Sequence, residues 1–558
     1  GDAMTFDDSG SNSSNISLNG TLEPNQVNVS ASKNYTFAGN GTLTGAMVLT
    51  KSGTGTLTLA PALVALANCT LTANTTTVTV PDSSNLSPGM LVSVNTNNIV
   101  GLPDGDTIAS ITDSTHIELV QNATRGNTTA LNFSAPNTYN GGTVLDGGVI
   151  AMSSVNANEA GLGTGPLTIN AGTLSLYDWN GSNLPDSGTF ANSLDLEGNG
   201  TLIAAQRQTI SSTVSGSGNL TFIIPYVRTD LTGDWSQFFG QLNVITNSTA
   251  GDLRFLTATG MPQAVVNLGV NVSAYFNGTI SANGTTITLG ALSGVSSAKL
   301  LGGPTSARAL TWNIGARGTD ATFSGNITEQ GAGNITNINK VGSGTETLTG
   351  TLTHAGNTTI SAGTLVLSGN LSNNATLEVL NGGDLSLADG TATVATVVVD
   401  NGGMLNGNGT LNAPLRNDGA VSAGVGQSLV INGNVTNNGY MYFTGGSALT
   451  ATGTFTIYGI LDLITGAQTL PGNFVNHGTV LFSSDAQIEQ SAYAAGNFSV
   501  QLQSYSGHDY QLQRSDSLDT PDWQNIGAPQ QGVDDTLTLT DTTGTAGTIR
   551  FYRVVVSP

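Results

Sequence analysis

The densest grouping of chemically capable side chains is IIPYVRTDLTGDWSQFF, residues 223–239, where Tyr226, Arg228, Asp230, Asp234 and Trp235 follow one another closely. Two carboxyl groups held about 5 to 9 Å apart beside an aromatic platform would suit glycosidic chemistry, with one protonating the leaving group and the other acting as base or nucleophile. The competing reading is a loop excursion in which Trp235 and Phe239 pack down onto the chain and Asp234 caps a turn. The sequence favours the excursion. Asp178 beside Trp179, in YDWNGSN, is a second and thinner pairing of the sugar-binding kind. His116, His354, His477 and His508 lie far apart with no adjoining ligand pattern. His354 is therefore expected to be a polar corner residue and not a general base.

Acidic turns at DGDT (104–107), DDSG (7–10) and VDD (533–535) offer oxygens to calcium, but none has the spacing of a full binding loop, so solvated turn acids are expected. Cys69 is the single cysteine, which excludes an internal disulfide and a cysteine-based metal cluster. In ANCTLTA it reads as a small buried hydrophobe. Asn-x-Ser/Thr sequons at Asn19, Asn40, Asn199, Asn283 and Asn408 would carry sugar in a host that glycosylates them. There is no phosphate-binding loop, dinucleotide fingerprint, HExxH or GxSxG. No catalytic, cofactor-binding or metal-ligating residue is assigned, no cofactor is expected, and the chain is expected not to be an enzyme.

The elements that would position these residues are short. Lys340 to Ser368, KVGSGTETLTGTLTHAGNTTISAGTLVLS, alternates Val, Ile and Leu with Thr at period two and is punctuated by Gly, Asn and Ser. That is the pattern of half-buried strands joined by tight corners. Comparable units recur about every 20 residues, the period of a solenoid coil. Gly supplies 73 of 558 residues without a three-residue period, which removes collagen and fits corners that need φ > 0. A β-sandwich array would need longer strands and more aromatics than the 6% present.

The fold expected is all-β: a single-stranded right-handed parallel β-helix with a small inserted β domain and a C-terminal β-sandwich-like module. The divisions are 1–67 for the N-terminal strands and first coils, 68–133 for the insertion, 134–490 for the β-helix, and 491–558 for the cap module. Ser154 to Leu162 is expected to make one helical turn. Pro61 to Ala67 (PALVALA) is too short for a stable helix and is expected to cover a solenoid edge.

Net charge is −22, from 36 acidic and 14 basic residues, which argues against nucleic acid and against a polybasic membrane contact. No run reaches the roughly 18 apolar residues of a membrane helix. The opening GDAMTFDDSG has neither a basic start nor an apolar core, so a mature, processed chain is expected.

KSGTGTLTLA (51–60), continued after the insertion by NTYNGGTVLDGGVIAM (137–152), resembles the autotransporter-associated β-strand repeat of bacterial surface and secreted proteins. Lys340 to Ser368 resembles a second copy in which the Asn-Thr-Tyr core has become HAGNTT. The inserted block is similar to a β module built around SPGM (87–90). YQLQRSDSLDTPDWQNIG (510–527) with FYRV (551–554) resembles a module that ends large exported proteins of Verrucomicrobia-like bacteria. The resemblance implies a right-handed parallel β-helix exported to the cell surface or beyond, with no catalytic residue in its repeat. Relatives of this kind end in a membrane β-barrel, whereas this sequence ends in VVVSP, so self-translocation by that route is not expected.

The function expected is a non-enzymatic structural subunit of an extracellular or cell-surface fibre, joining head to tail through terminal coils or terminal modules. The alternatives are a monomeric adhesin or glycan-binding protein, with cell-surface or matrix glycans as partners, and a polysaccharide-degrading β-helix enzyme.

Overall fold

A strand that alternates Leu, Val or Ile with Thr, Ser or Asn has one apolar row, and stacking such strands in parallel register hides that row from water. This chain applies the rule coil after coil. The computed structural model describes residues 2–10, 14–94, 101–103, 105–178, 188–225, 227–304, 308–466, 468–543 and 549–557. It is a parallel β-solenoid with small antiparallel sheets added to it, and it divides into two compact units, Gly1–Ala355 and Gly356–Pro558.

In the first unit each coil contributes strands to three parallel ladders. One ladder runs Gln208–Ile210, Val227–Leu231, Gly251–Phe255 and Val272–Phe276. A second pairs Val214–Gly216 with Gln237–Phe238, and a third runs Leu220–Ile224, Gln241–Thr246 and Met261–Leu268. Leu220, Phe222, Leu242, Val244, Val266 and Leu268 point inward and are fully buried. Trp312 is among the largest such fillers and donates its indole N–H to the Leu301 carbonyl at 3.0 Å.

Corners leave backbone N–H groups without a strand partner, and asparagines of the preceding coil accept from them. Asn34 Oδ1 takes Thr56 N–H at 2.8 Å, Asn199 takes Asn219 at 3.2 Å, and Asn219 takes Gln241 at 3.0 Å. In the second unit Asn408 takes Ser428 at 2.8 Å and Asn434 takes Thr454 at 3.0 Å. Two of the expected sugar acceptors, Asn199 and Asn408, thus lend their side-chain oxygens to coil-to-coil bonds.

The repeat signature is structural chemistry. Lys51 is 1% exposed, and its ammonium donates to the carbonyls of Ser52, Gly53 and Gly147 at 2.7, 3.2 and 3.3 Å. Lys340, at the same place in the second copy, is 2% exposed and donates to Val341 and Gly342, both at 2.9 Å. Each lysine ties down a corner whose glycine has positive φ, 72° at Gly53 and 70° at Gly342. Desolvation lowers the pKa of both ammonium groups. Replacing Lys340 with Met should therefore cost about 2 kcal/mol, the worth of hydrogen bonds to a charged donor, read as a lower urea midpoint. Asn137 accepts Leu43 N–H at 2.9 Å and donates to the Gly161 carbonyl at 2.8 Å, while Tyr139 is fully buried with its hydroxyl 2.8 Å from Thr143 Oγ1.

Val64–Leu71 and Asn127–Ser134 are the long central strands of a six-stranded antiparallel sheet that also holds Leu91–Val94, Thr77–Thr79, His116–Leu119 and Ile108–Ile111. PALVALA is thus not an edge cover: from Val64 onward it is strand, because its alternating residues pair with Leu131 to Phe133. Cys69 lies fully buried in this sheet's apolar core with Leu71, Val78, Val92, Ile117 and Phe133. The helix Val155–Ala160 is the expected single turn, capped by Ser154, whose hydroxyl accepts Ala157 N–H. Its Asn156 joins sheet to coils, donating to Ser134 Oγ at 2.8 Å and accepting from Ser93 Oγ.

In the second unit one ladder runs Leu415–Asn417, Val435–Asn437, Phe455–Ile457 and Phe474–Asn476. Another runs Ala420–Ala423, Tyr440–Phe443, Ile460–Leu463 and Thr479–Phe482. Two antiparallel sheets follow, one of Ile488–Ala494, Asn497–Gln503 and Thr536–Asp541, the other centred on Asp509–Ser515 beside Phe551–Ser557. Val500, Leu502, Tyr510, Leu512 and Leu539 form their common core.

Candidate functional site

The 223–239 stretch is not a loop but coil: Val227–Leu231 is a strand, followed by the corner strand Gln237–Phe238. Its residues separate by the parity of the strand. Asp230 points outward and sits 3.3 Å from Arg228 Nε and 4.0 Å from Arg254 Nε, while Arg254 meets Asp252 at 3.3 Å. The Tyr275 hydroxyl donates to Asp252 at 3.2 Å, and Arg254 lies 5.0 Å above the Tyr275 ring. Strand pairing sets Arg228 beside Asp252 and Asp230 beside Arg254, so the two acids and two arginines alternate on one face of two adjacent coils. In this checkerboard each carboxylate lies against an arginine, an arrangement of ion pairs and not of two carboxyls facing each other across a cleft.

Asp234 accepts Ser236 N–H at 2.9 Å, which caps the turn and holds its carboxyl below the ordinary range. Trp235 is 2% exposed and packs edge-on against Phe238, with ring centroids 6.0 Å apart. The capping and packing expected of Asp234 and Trp235 are present. Phe239 departs from expectation: it is 46% exposed and does not pack down. Tyr226, Trp179 and Asp104 lie outside the described residues. Asp178 accepts Gln206 N–H at 3.0 Å.

His354 is fully buried, and desolvation pushes its imidazole down to about 4. It stands four residues before Thr358 as Tyr139 stands four before Thr143, so it occupies a core position of the repeat and not the polar corner expected. The acidic turns cap backbone: Asp8 accepts from Ser32 and Lys33, Asp106 from Thr107 and Gln121, and Asp534 from Ser506. No group of three or more His, Cys, Asp or Glu side chains gathers to hold a metal among the described residues. No helix among them is long and apolar enough to cross a membrane.

What sequence reading missed is a groove of about 440 Å³ along one corner of the first unit. It lies where the long parallel strands Met261–Leu268 and Thr285–Gly294 pair with a register shift between Met261 and Val265. Val265 and Ser293 make the floor, Phe239 and Gln241 one wall, and Arg317, Thr319 and Asp320 the other. Arg317 Nη1 donates to the Phe239 carbonyl at 2.9 Å and ties wall to wall. Asp320 Oδ1 accepts Thr345 N–H at 2.8 Å, which fixes its side chain to the next coil. The sequence carried no signal for it: Phe239 read as a packing residue, and nothing in its neighbours marks Arg317 or Asp320 as its companions, because three coils of chain separate them.

No family model matches the chain, and no curated protein matches it. Among solved structures it is similar to the Gp54 tailspike of Acinetobacter baumannii bacteriophage AP22, solved in complex with A. baumannii capsular saccharide, at 11% identity and a TM-score of 0.18, over 97% of this chain and 89% of that one. It is also similar to the tailspike gp61 of Pseudomonas phage phi297, at 9% identity and a TM-score of 0.21, over 96% and 90%. The expectation of a chain that is not an enzyme is corrected here. It rested on a solenoid having no cleft, whereas this chain carries an open polar groove.

Proposed function

We propose that this chain is an extracellular or cell-surface β-solenoid that engages glycan in the groove between Phe239 and Asp320. The observation that carries the reading is the pairing of an exposed aromatic ring with amide, guanidinium and carboxylate groups over a shallow floor. A pyranose presents one apolar C–H face and a rim of hydroxyls. Phe239 offers the stacking surface, and Gln241, Asn219, Arg317 and Asp320 offer the donors and acceptors. The groove is open at the surface, which suits an extended chain of sugars better than a small enclosed molecule.

The expected autotransporter-type repeat, surface location and self-association belong to this proposal. The repeat supports it through the lysine-tied corners, whose dense backbone bonding suits a protease-rich exterior. Light scattering of the intact chain at rising concentration reads self-association directly.

The test is a panel of bacterial capsular and matrix polysaccharides, scored by affinity electrophoresis and by release of reducing ends. Retardation by at least one polysaccharide is expected. Phe239→Ala should weaken it about tenfold, the usual cost of an aromatic anchor, and Asp320→Asn should reveal whether any turnover depends on the carboxylate. Retardation that is the same for Phe239→Ala as for the parent would remove the groove from the account.

A further inference from the structure

His508 and Asp462 come from different parts of the second unit. Asp462 belongs to the solenoid strand Ile460–Leu463, and His508 precedes the module strand Asp509–Ser515. Both are 2% exposed. His508 Nε2 lies 2.5 Å from Asp462 Oδ2, and the same oxygen accepts the Tyr440 hydroxyl at 2.5 Å. Asp462 Oδ1 accepts Ile464 N–H at 3.0 Å, so this carboxylate is held by three donors. Among the described residues this is the one ion pair that joins the terminal module to the coils.

We propose that the buried His508–Asp462 contact is a pH-gated latch holding the terminal antiparallel module against the last coils, closed while the imidazole is cationic and loosened once it is neutral. The groups around the ring all favour that sense. Asp462 and Tyr440 face it from the coils, with Tyr442 behind Tyr440 at a ring distance of 5.4 Å. Tyr510 faces it from the module at 6.4 Å, and the Ser557 carbonyl from the final strand. No cation opposes protonation among the described neighbours. The hydrogen bond to Asp462 raises the His508 pKa against the cost of burial. Burial pushes Asp462 up, but the bonds from His508, Tyr440 and Ile464 outweigh it and hold the carboxyl below the ordinary range.

The sign follows from those directions. A histidine whose folded pKa exceeds its unfolded value adds stability that is complete below the unfolded pKa and is lost as pH rises through the folded one. Asp462 adds stability that is present above the unfolded carboxylate pKa and lost as pH falls through its own lowered one. Docking is thus tightest in mildly acid to neutral solution and weakens toward alkaline pH.

The experiment is amide hydrogen exchange on the intact chain from about pH 6 to about pH 9, with module strands referred to solenoid strands of the same molecule to cancel intrinsic rates. Protection of Asn497–Gln503 and Asp509–Ser515 relative to the coils should fall about tenfold for each unit by which the folded pKa exceeds that of a free histidine. His508→Gln keeps an amide donor without the charge and should show no such relative fall. A constant ratio in the parent chain, or an equal fall in His508→Gln, would overturn the latch. Should that variant fail to fold, NMR titration of labelled histidine in the parent decides: His508 titrating above a free histidine supports the latch, and at or below it refutes it.

Discussion

Replacing Glu346 with Leu is expected to raise the stability of the chain and to remove a downward slope in stability between pH 4.5 and about 8. Glu346 stands six residues after Lys340, where the first copy of the repeat has Leu57 six after Lys51. Leu57 is fully buried and Glu346 is 1% exposed, so the same inward position holds a hydrocarbon in one coil and a carboxyl in the other. Strand pairing puts Ala321 beside Glu346, and this small residue leaves room for the longer side chain. Burial pushes the carboxyl up to about 8, against the opposing pull of the Leu292 backbone and the Lys340 ammonium.

The pKa is raised on folding, so the unfolded chain loses this proton near 4.5 while the folded chain keeps it until about 8. Unfolding therefore releases a proton throughout that window, and stability drops by about 1.4 kcal/mol for each pH unit. Below the window the burden is absent, and above it the burden is complete. The variant should lack this component, so urea midpoints of parent and variant should diverge as pH rises and run parallel outside the window. Parallel curves throughout would mean that the carboxyl reaches water.

Gly439→Ala should destabilise the second unit by about 3 kcal/mol or more, whereas Gly472→Ala should change it little. Gly419, Gly439, Gly459 and Gly478 stack at one corner of successive coils. A Cβ on Gly439 would lie 2.2 Å from the Gly419 carbonyl oxygen, and one on Gly459 would lie 2.1 Å from that of Gly439. Overpacking against a side chain commonly costs about 1 to 3 kcal/mol, and a backbone oxygen inside a hydrogen-bonded ladder has less room to yield. The neighbouring Asn417 and Asn437 are fully buried, with Asn417 Nδ2 donating to Asn437 Oδ1 at 2.6 Å, so any widening of the corner also breaks that bond. Gly472 meets nothing within 4 Å, which makes it the matched control.

The parallel solenoid was legible because its rule is local. Period-two alternation with Gly and Asn at fixed intervals dictates short strands and tight corners, and the antiparallel modules stand out by longer strands and added aromatics. PALVALA was misjudged because a strand that pairs with residues more than sixty positions away announces itself only by alternation, which is faint over so short a run. The candidate site was mostly illegible for a related reason. Phe239, Gln241, Arg317 and Asp320 meet across several coils, so no spacing in the sequence links them. The charged cluster at 223–239 drew attention through composition, yet parity along the strand set Asp230 beside arginines, while in the turn that follows Trp235 is buried and Asp234 caps backbone. The Lys51 and Lys340 corners were visible as a motif without their reason, because nothing in the sequence says that an ammonium folds back onto carbonyls.

In-register stacking of successive coils underlies the groove, the corner glycines and the buried carboxyl alike, and a cysteine pair tests it most directly. Thr221 and Asn243 are register partners on the outer face of adjacent strands, and parallel neighbours about 4.8 Å apart lie within reach of a disulfide. Thr221→Cys with Asn243→Cys should form an intramolecular bond under mild oxidation, with Cys69 buried and silent, while Thr221→Cys with Asn267→Cys, one coil further on, should not. Efficient bonding of the distant pair, or none in the adjacent pair of a folded chain, would contradict the stacking.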